Sequence, residues 1–258
     1  MDSIILTGFL ASLAAGLCTA VGAIPILLMG KPTEQQQNLF LGFAAGVMLA
    51  ASFFSLIIPG IAQAEELGAT RVEAAGTIVF AVLLGAMTLS AVNRLAPVEF
   101  TAIGRADAPT DMVRRIWLFV AAITLHNFPE GLAVGVSFGG GDLGNGTATA
   151  IGIGLQNMPE GLAVAASLMT LGYSRNFAFM AALASGLVEP IGGLLGVSIV
   201  SLSEPLLPWG LGFAAGAMIY VVASEIIPET QRLRPSPRAT QGLMVGLVGM
   251  MFLDVTLG

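Results

Sequence analysis

The residues best suited to chemistry in this chain lie in two similar stretches inside long apolar segments. The sequence HNFPEG occupies residues 126–131, and QNMPEG follows thirty positions later at residues 156–161. Charged and polar side chains are costly in the hydrocarbon core of a membrane, so their presence in apolar segments indicates a functional site. The second copy of the pattern argues against a chance occurrence.

The spacing of these residues favours a metal site. Successive residues of an α-helix are about 100° apart, so His126, Asn127 and Glu130 share one arc of about 100°. The second stretch repeats this arrangement with glutamine in place of histidine: Gln156, Asn157 and Glu160. Facing each other, the helices could hold one ion beside His126 and its counterpart and another beside the two asparagines, with either glutamate bridging both.

The two glutamates predict a divalent cation. Facing carboxylates in a low dielectric repel each other and resist desolvation, and a cation between them compensates for both effects. Imidazole suits zinc, copper, iron and nickel, and carboxylates broaden the range. His126 is the only histidine in the chain. A lone histidine is more often a satisfied core residue, but its place four residues before Glu130 favours a ligand.

Other residues are weaker candidates. Pro129 and Pro159 each lack an amide hydrogen and should free a backbone carbonyl one turn earlier. Such backbone is tolerated at membrane depth only inside protein or beside a wet cavity. Glu189 precedes a proline in the middle of another apolar segment, which favours a place at the same site. Met48 offers a thioether ligand, although a core methionine is an equally good interpretation. Glu66 could line a path for incoming ions or could simply be solvated.

The composition predicts an all-α, polytopic membrane protein with a single domain covering residues 1–258. The chain is 55% hydrophobic and only 10% charged, with a mean hydropathy of +0.87, whereas soluble domains carry about 25% charged residues. The net charge of −6 and the absence of basic patches exclude a nucleic-acid partner. One cysteine, Cys18, excludes a cysteine-rich metal site.

Eight segments are long enough to cross a bilayer, which takes about 20 residues. They cover approximately residues 3–29, 36–59, 74–96, 114–138, 147–171, 176–202, 206–228 and 239–257. The first is longer than the apolar region of a signal peptide, about 7–15 residues, so it is predicted to be a retained span. The spacer at 96–113 is predicted to be a solvated loop.

Basic residues predict the orientation in the membrane. Arg71 alone lies beside the loops that follow even-numbered spans, and the other basic residues lie beside the loops that follow odd-numbered spans: Lys31, Arg94, Arg105, Arg114, Arg115, Arg175, Arg232, Arg234 and Arg238. Because basic residues concentrate on the cytoplasmic side, both termini are predicted to lie outside the cytoplasm.

Internal repeats predict a 3+2+3 arrangement of spans with inverted halves. The sequence LGFAAG occurs at 41–46 and 211–216, in spans two and seven, and each copy is followed by methionine (Met48, Met218) and then by IIP at 57–59 and 226–228. Small residues favour close helix packing, which by itself could explain the LGFAAG match. It does not explain the repeated Asn-x-Pro-Glu-Gly. Inverted repeats around a midplane site are common in transporters.

The paired His-Asn-x-Pro-Glu-Gly and Gln-Asn-x-Pro-Glu-Gly motifs resemble those of the ZIP (Zrt/Irt-like) divalent metal transporters, and the resemblance covers essentially the whole chain. It is strongest to bacterial members with glutamine opening the second motif, which implies a bacterial inner membrane. It implies uptake of zinc, often with cadmium, iron or manganese, into the cytoplasm by alternating access. The metal ions are transported substrates, and no prosthetic group is expected.

The resemblance also implies a binuclear centre. The first site maps to Met48, His126, Glu130, Gln156 and Glu160. The second site maps to Asn127, Glu130, Asn157, Glu160 and Glu189. Some members have aspartate where this chain has Asn157, so the second site loses a negative charge here. Dimerisation is common in the family, which makes a second copy of the chain an expected partner.

Other classes of protein fit the sequence less well, and a scaffold without transport activity would leave the buried carboxylates unexplained. An intramembrane metalloprotease needs His-Glu-x-x-His on a helix, and a chain with one histidine cannot supply it, so an enzyme is not expected. A proton-coupled transporter of a small organic solute could use Glu130 and Glu160 as proton carriers. It predicts a larger cavity and no dependence on metal.

Overall fold

The computed structural model describes residues 2–28, 33–95, 110–230 and 237–257. Within these ranges the chain is helical, apart from short turns, and contains no strand. The predicted all-α class is therefore confirmed. The predicted solvated spacer lies largely outside the described residues, as do Lys31, Arg105, Arg232 and Arg234, while the helix that follows the spacer already begins at Thr110.

The described residues form eight helical rods. They are α1 (Asp2–Leu28), α2 (Glu34–Glu66), α3 (Arg71–Leu95), α4 (Thr110–Gly139), α5 (Leu143–Thr170), α6a (Arg175–Gly186) with α6b (Glu189–Leu202), α7 (Leu207–Thr230) and α8 (Pro237–Leu257). Each rod coincides with one of the eight predicted spans to within several residues at its ends. The protein is therefore a multi-pass membrane protein.

Seven of these rods are long and apolar enough to cross a membrane by length and composition, among the residues that the structure describes. The remaining rod, α5, carries Gln156, Asn157 and Glu160 in its centre. It packs against α1, α2, α4, α6a and α8. Protein therefore surrounds the polar residues of α5, which explains how a helix that is less apolar than its neighbours is accommodated at membrane depth.

Two helices contain a π-helical turn just before a proline. In α2 the turn covers Ser52–Ile57 and precedes Pro59, and in α7 it covers Val222–Ile226 and precedes Pro228. π-Turns and prolines are both common sites of helix bending. Here α2 continues past both of them to Glu66, whereas the sequence predicted that the span would end at Pro59.

Four pairs of helices make the most extensive contacts: α2 with α8, α3 with α7, α1 with α5, and α4 with α6b. Glycines allow the backbones to approach closely. A Cβ atom added to Gly46 in α2 would lie 2.0 Å from the carbonyl oxygen of Leu243 in α8. A Cβ atom added to Gly216 in α7 would lie 1.9 Å from the carbonyl oxygen of Val82 in α3. Small residues are the usual basis of such close packing in membranes.

A tight turn joins the two central helices α4 and α5. Gly141 has a φ of 82°, which a residue with a side chain rarely adopts. The next residue, Asp142, is the N-cap of α5, and its side chain accepts a hydrogen bond of 3.0 Å from the backbone N–H of Asn145. The short connection makes α4 and α5 antiparallel neighbours, so their two Pro-Glu motifs lie beside each other.

Candidate metal centre

The two motif helices meet through a hydrogen bond between Gln156 and Glu130. The side-chain amide Nε2 of Gln156 donates to Oε1 of Glu130, and both residues are fully buried. Both helices remain continuous through their internal prolines, Pro129 and Pro159. The facing arrangement that the sequence predicted for the two motifs is therefore present at this pair of residues.

Glu189 reaches the same region from α6b. Its Oε1 accepts a hydrogen bond of 2.7 Å from Nδ2 of Asn157, and that same nitrogen donates at 2.9 Å to the backbone carbonyl of Ala15 in α1. The α6 rod is interrupted at Leu187 and Val188, so Glu189 is the first residue of α6b and is followed by proline. A carboxylate is favoured there by the helix dipole, and proline is well tolerated in a first turn.

Three carboxylates lie in the same part of the bundle. Glu130 accepts a hydrogen bond from Gln156 and Glu189 accepts one from Asn157, and Glu160 lies about one turn further along the helix that carries both amides. Their exposed fractions are 0%, 1% and 0% for Glu130, Glu160 and Glu189 respectively. Burying one uncompensated carboxylate is already strongly unfavourable, so three in one place require positive charge from a ligand or from protons.

The side-chain hydrogen bonds leave a set of polar atoms without partners among the described residues. Gln156 and Asn157 each donate their amide nitrogen to a carboxylate, which leaves both amide oxygens and the second oxygens of Glu130 and Glu189 unpaired. Further unpaired atoms belong to the two ring nitrogens of His126, the side-chain amide of Asn127 and both carboxylate oxygens of Glu160. Buried polar groups are normally hydrogen-bonded. Their concentration here indicates a site for a polar ligand.

Most of these atoms can donate lone pairs to a cation. As the side chains stand, however, no group of three or more His, Cys, Asp or Glu side chains among the described residues is gathered as the ligands of one ion. The amide of Gln156 donates a hydrogen bond to Glu130, and the amide of Asn157 donates one to Glu189. The structure therefore shows which polar atoms are buried without partners among the described residues, and both the ligand set and the two-ion arrangement stay predictions.

Met48 occupies a different environment. It is fully buried in the main apolar cluster, which also contains Leu56, Ala133 and Met218. Its backbone carbonyl accepts a hydrogen bond of 2.7 Å from the hydroxyl of Ser52. The described contacts of Met48 are thus those of a core methionine, and its role as a ligand stays a prediction.

The glycine that ends each motif has a structural role that sequence reasoning missed. A Cβ atom at Gly131 would lie 2.0 Å from the carbonyl oxygen of Glu189, and one at Gly161 would lie 1.9 Å from the carbonyl oxygen of Thr19. The backbones of α6b and α1 therefore cross α4 and α5 directly beside the motif glutamates. These two crossings place Glu189 and Thr19 next to the cluster.

Thr19 is the polar residue at this crossing that the sequence did not single out. It is 1% exposed, and its hydroxyl Oγ1 has no hydrogen-bond partner within the described part of the chain. A threonine in an apolar helix is ordinary, so its type carries no signal. Only its position in the fold distinguishes it: a Cβ atom added to Gly186 of α6a would lie 2.8 Å from Oγ1 of Thr19.

Comparison with known proteins decides the family. Residues 101–254 match the family model described as ZIP Zinc transporter. The chain is 43% identical to the zinc transporter GufA of Myxococcus xanthus, over 97% of this chain and 99% of that protein. The chain belongs to the ZIP family.

Two further ZIP relatives extend the range of organisms. The zinc transporter ZIPB of Bordetella bronchiseptica is 44% identical over 95% of this chain and 80% of its own length. The human zinc transporter ZIP11 is 34% identical over 93% of this chain and 94% of its own length. The family resemblance predicted from the two motifs is thereby confirmed, and the ZIP relatives are transporters rather than enzymes.

Proposed function

We propose that this chain transports divalent transition-metal ions, with zinc as the main substrate, through the buried cluster between α4 and α5. One observation carries the proposal: the carboxylates of Glu130, Glu160 and Glu189, the amide oxygens of Gln156 and Asn157 and the imidazole of His126 are all buried, and most of their polar atoms have no partner among the described residues. The zinc-transporter names of the relatives support zinc. Cadmium, iron and manganese are the other proposed substrates, since imidazole and carboxylates bind several such ions.

We assign the donor atoms to two adjacent ions. The first ion is held by His126, Glu130, Gln156 and Glu160, with Met48 as a further ligand. The second ion is held by Asn127, Glu130, Asn157, Glu160 and Glu189. The unpaired oxygens of Gln156, Asn157 and the three glutamates are the atoms available for this coordination. Neutralising three buried carboxylates with divalent cations offsets the cost of removing them from water.

Asn157 has a specific role in this proposal. Its Nδ2 group donates to Glu189, which an aspartate in the same place could not do while ionised. Asn157 therefore stabilises the carboxylate of Glu189 by a hydrogen bond instead of adding a further negative charge. We expect the second ion to bind more weakly than it would beside an aspartate.

The helix contacts support a 3+2+3 arrangement with inverted halves within one domain. In an inverted repeat, α1, α2 and α3 correspond to α6, α7 and α8, and α4 corresponds to α5. Under this correspondence the α1–α5 pair is equivalent to the α6–α4 pair, and the α2–α8 pair is equivalent to the α7–α3 pair. These are the four pairs of helices with the most extensive contacts. The close glycine approaches follow the same exchange. Gly22 approaches the carbonyl of Met158, and Gly192 approaches the carbonyl of Phe128. The π-turns of α2 and α7 also correspond.

The same contacts support transport by movement of one bundle against another. Each dominant pair lies within one of two groups, α1, α4, α5 and α6 or α2, α3, α7 and α8. The first group holds the cluster, and the second contributes the apolar surface around Met48 and Met218. Sliding of the first group would carry the ions from one side to the other, which is alternating access at a midplane site.

The orientation and location are also part of the proposal. The distribution of basic residues favours both termini outside the cytoplasm. Uptake into the cytoplasm, across the inner membrane of a bacterium, is a prediction of the family resemblance. A homodimer is a prediction of the family resemblance. The organic-solute alternative is less well supported, because neither of the two described cavities is lined by any of the eight proposed ligands.

Radiolabelled zinc uptake into proteoliposomes tests the proposed function. Wild-type protein should accumulate zinc, whereas Glu160→Gln should reduce the initial rate by at least about a hundredfold, because one carboxylate shared by both ions is lost. Glu65→Gln removes an exposed carboxylate at the end of α2 and is the matched control. Uptake by Glu160→Gln at the wild-type rate would remove the cluster from the transport path.

A further inference from the structure

A second polar region lies at one end of the bundle, away from the buried cluster. It is a cavity of about 240 Å³ between α2, α4, α5 and α7. Its polar lining residues are Gln63, Glu66, Ser137, Asp142 and Asn145. Glu66 ends α2 and Asp142 lies in the turn between α4 and α5, so the cavity is at the outer face in the proposed orientation.

Ser137 distinguishes this cavity from an ordinary group of solvated acidic residues. It lines the cavity and is only 2% exposed, yet its hydroxyl has no hydrogen-bond partner among the described residues. A buried hydroxyl without a partner costs free energy unless something fills its hydrogen-bonding capacity. The unpaired Oγ therefore points to a polar ligand at the inner wall of the cavity.

The cavity is in line with the buried cluster. Ser137 follows His126 by eleven residues on α4, and Asn145 precedes Gln156 by eleven residues on α5. Eleven residues of α-helix correspond to about 16 Å along the axis and about 20° around it. Each central helix thus presents a cavity residue and a cluster residue on the same face, three turns apart.

The cavity offers only oxygen donors for a cation: two carboxylates, two amide oxygens and a hydroxyl. Carboxylates, amide carbonyls and water suit hard ions such as calcium, magnesium and manganese and discriminate little among divalent metals. Both carboxylates are exposed, so they can attract cations from solution while leaving most of the hydration shell in place. A cleft lined with one sign of charge raises the local concentration of its counterion.

An apolar layer lines part of the cavity. Leu207 and Leu211 line the cavity and belong to the same apolar cluster as Leu56, Met48 and Met218. The three buried carboxylates, Glu130, Glu160 and Glu189, are each no more than 1% exposed. A cation in the cavity is therefore held outside a closed layer and can advance only when that layer opens.

We propose that this outer cavity binds one partly hydrated divalent cation, weakly and without selecting zinc, before the ion passes to the buried cluster. The inference rests on the proposed transport function. It separates two tasks along one path: collection by hard oxygen donors at the surface, and selection by imidazole and carboxylates three turns deeper. Calcium should occupy the cavity at millimolar concentration, the affinity range of exposed oxygen sites, and should compete with zinc for it.

Zinc uptake kinetics in proteoliposomes test this inference with the double variant Glu66→Gln/Asp142→Asn. Asparagine is also a good N-cap, so the start of α5 should be preserved. We expect the KM for zinc to rise roughly fivefold to tenfold, which is near the lower end of the effect of a charged cleft on local ion concentration. The maximal rate should stay within about twofold of the wild-type rate. Inhibition by millimolar calcium should be lost. Glu65→Gln, which removes a neighbouring exposed carboxylate outside the cavity, should change neither quantity.

Calcium binding provides a readout that does not depend on transport. In a Glu130→Gln/Glu160→Gln background, labelled calcium should bind the purified protein at one weak site, and adding Glu66→Gln/Asp142→Asn should abolish it. Ser137→Ala should weaken it severalfold. If Glu160→Gln stops uptake but the double variant keeps the wild-type KM and calcium inhibition, this inference is wrong while the proposed function stands. If the wild type takes up no metal, the calcium-binding result alone decides for or against the cavity.

Discussion

The two central helices share one backbone design but differ in their chemistry. In α4 the motif glycine Gly131 is crossed by the backbone at Glu189, and in α5 the equivalent Gly161 is crossed by the backbone at Thr19. At the two crossings, the distances from the added Cβ atom to the crossing backbone agree to within a few tenths of an ångström. The residue that crosses has a carboxylate in one case and a hydroxyl in the other. The repeated backbone therefore does not produce two equal halves of the site.

The unequal partners give the two motifs different hydrogen bonding. Gln156 and Asn157 of α5 both donate to carboxylates, whereas the side chains of His126 and Asn127 in α4 have no described hydrogen-bond partner. The amide donors of α5 restrain Glu130 and Glu189, while α4 keeps an imidazole available. We conclude that the two motifs share their packing but differ in the hydrogen bonds of their polar side chains.

The largest expected effect comes from filling the crossing points. Gly161→Ala places a Cβ atom 1.9 Å from a backbone carbonyl of α1, so the helices must separate. We expect a loss of stability of about 1–3 kcal/mol, as for other overpacked sites, and a strong loss of zinc uptake. Thermal unfolding in detergent checks the first and proteoliposome uptake the second.

Gly76→Ala is the control for that substitution. An added Cβ atom at Gly76, within α3, would meet nothing within 4 Å. Because alanine is the better helix former, by up to about 1 kcal/mol, this variant should be as stable as the wild type or more so. Equal stability of the two variants would mean that the close crossing does not constrain the bundle.

Asn157→Asp tests the asymmetry at the second ion. Aspartate cannot donate to Glu189 while ionised, and it adds a fourth carboxylate to the buried cluster. Without metal we expect a loss of about 1–3 kcal/mol from the broken hydrogen bond and its unpaired acceptor. Zinc should then raise the melting temperature by several degrees more than in the wild type. An identical zinc-induced shift would show that residue 157 does not contact the ion.

Glu189→Gln removes the carboxylate that only one crossing provides. The amide can still hydrogen-bond to Asn157, so folding should be preserved, but one negative charge is lost from the second ion. We expect metal stoichiometry to fall from two ions to one, with uptake reduced roughly tenfold, as for a single disturbed metal contact. Thr19→Val, at the equivalent crossing, should leave the stoichiometry at two. Loss of an ion in both variants would contradict the unequal roles of Glu189 and Thr19.

His126→Gln makes the first motif resemble the second and has the smallest expected effect. Two ions should still bind, since the glutamates remain, but the imidazole that favours zinc is replaced by an amide oxygen. We expect zinc affinity to fall severalfold relative to that for manganese. Competition between the two ions in the wild type and the variant measures this ratio, and an unchanged ratio would mean that His126 does not select the metal.

Several of these features could be predicted from the sequence. The eight helices and the burial of His126, Asn127 and Glu130 follow from apolar length and helical spacing, which are local properties. The extension of α2 beyond Pro59 could not be predicted, because proline normally ends a helix and the π-turn before it is set by packing. Thr19 was missed because a threonine in an apolar helix is ordinary until a neighbouring backbone is known to cross beside it.

The sequence by itself determined which polar residues lie in the middle of apolar helices and which helices carry them, because residue type and helical period lie within a single stretch of chain. Only the tertiary structure decided that Asn157 contacts Glu189 and that Gln156 contacts Glu130. Those contacts depend on where helices distant in sequence cross. The helices cross at glycines, where the absence of a side chain lets the backbone of another helix come into contact. Which glycine meets which backbone cannot be read from the sequence of one helix.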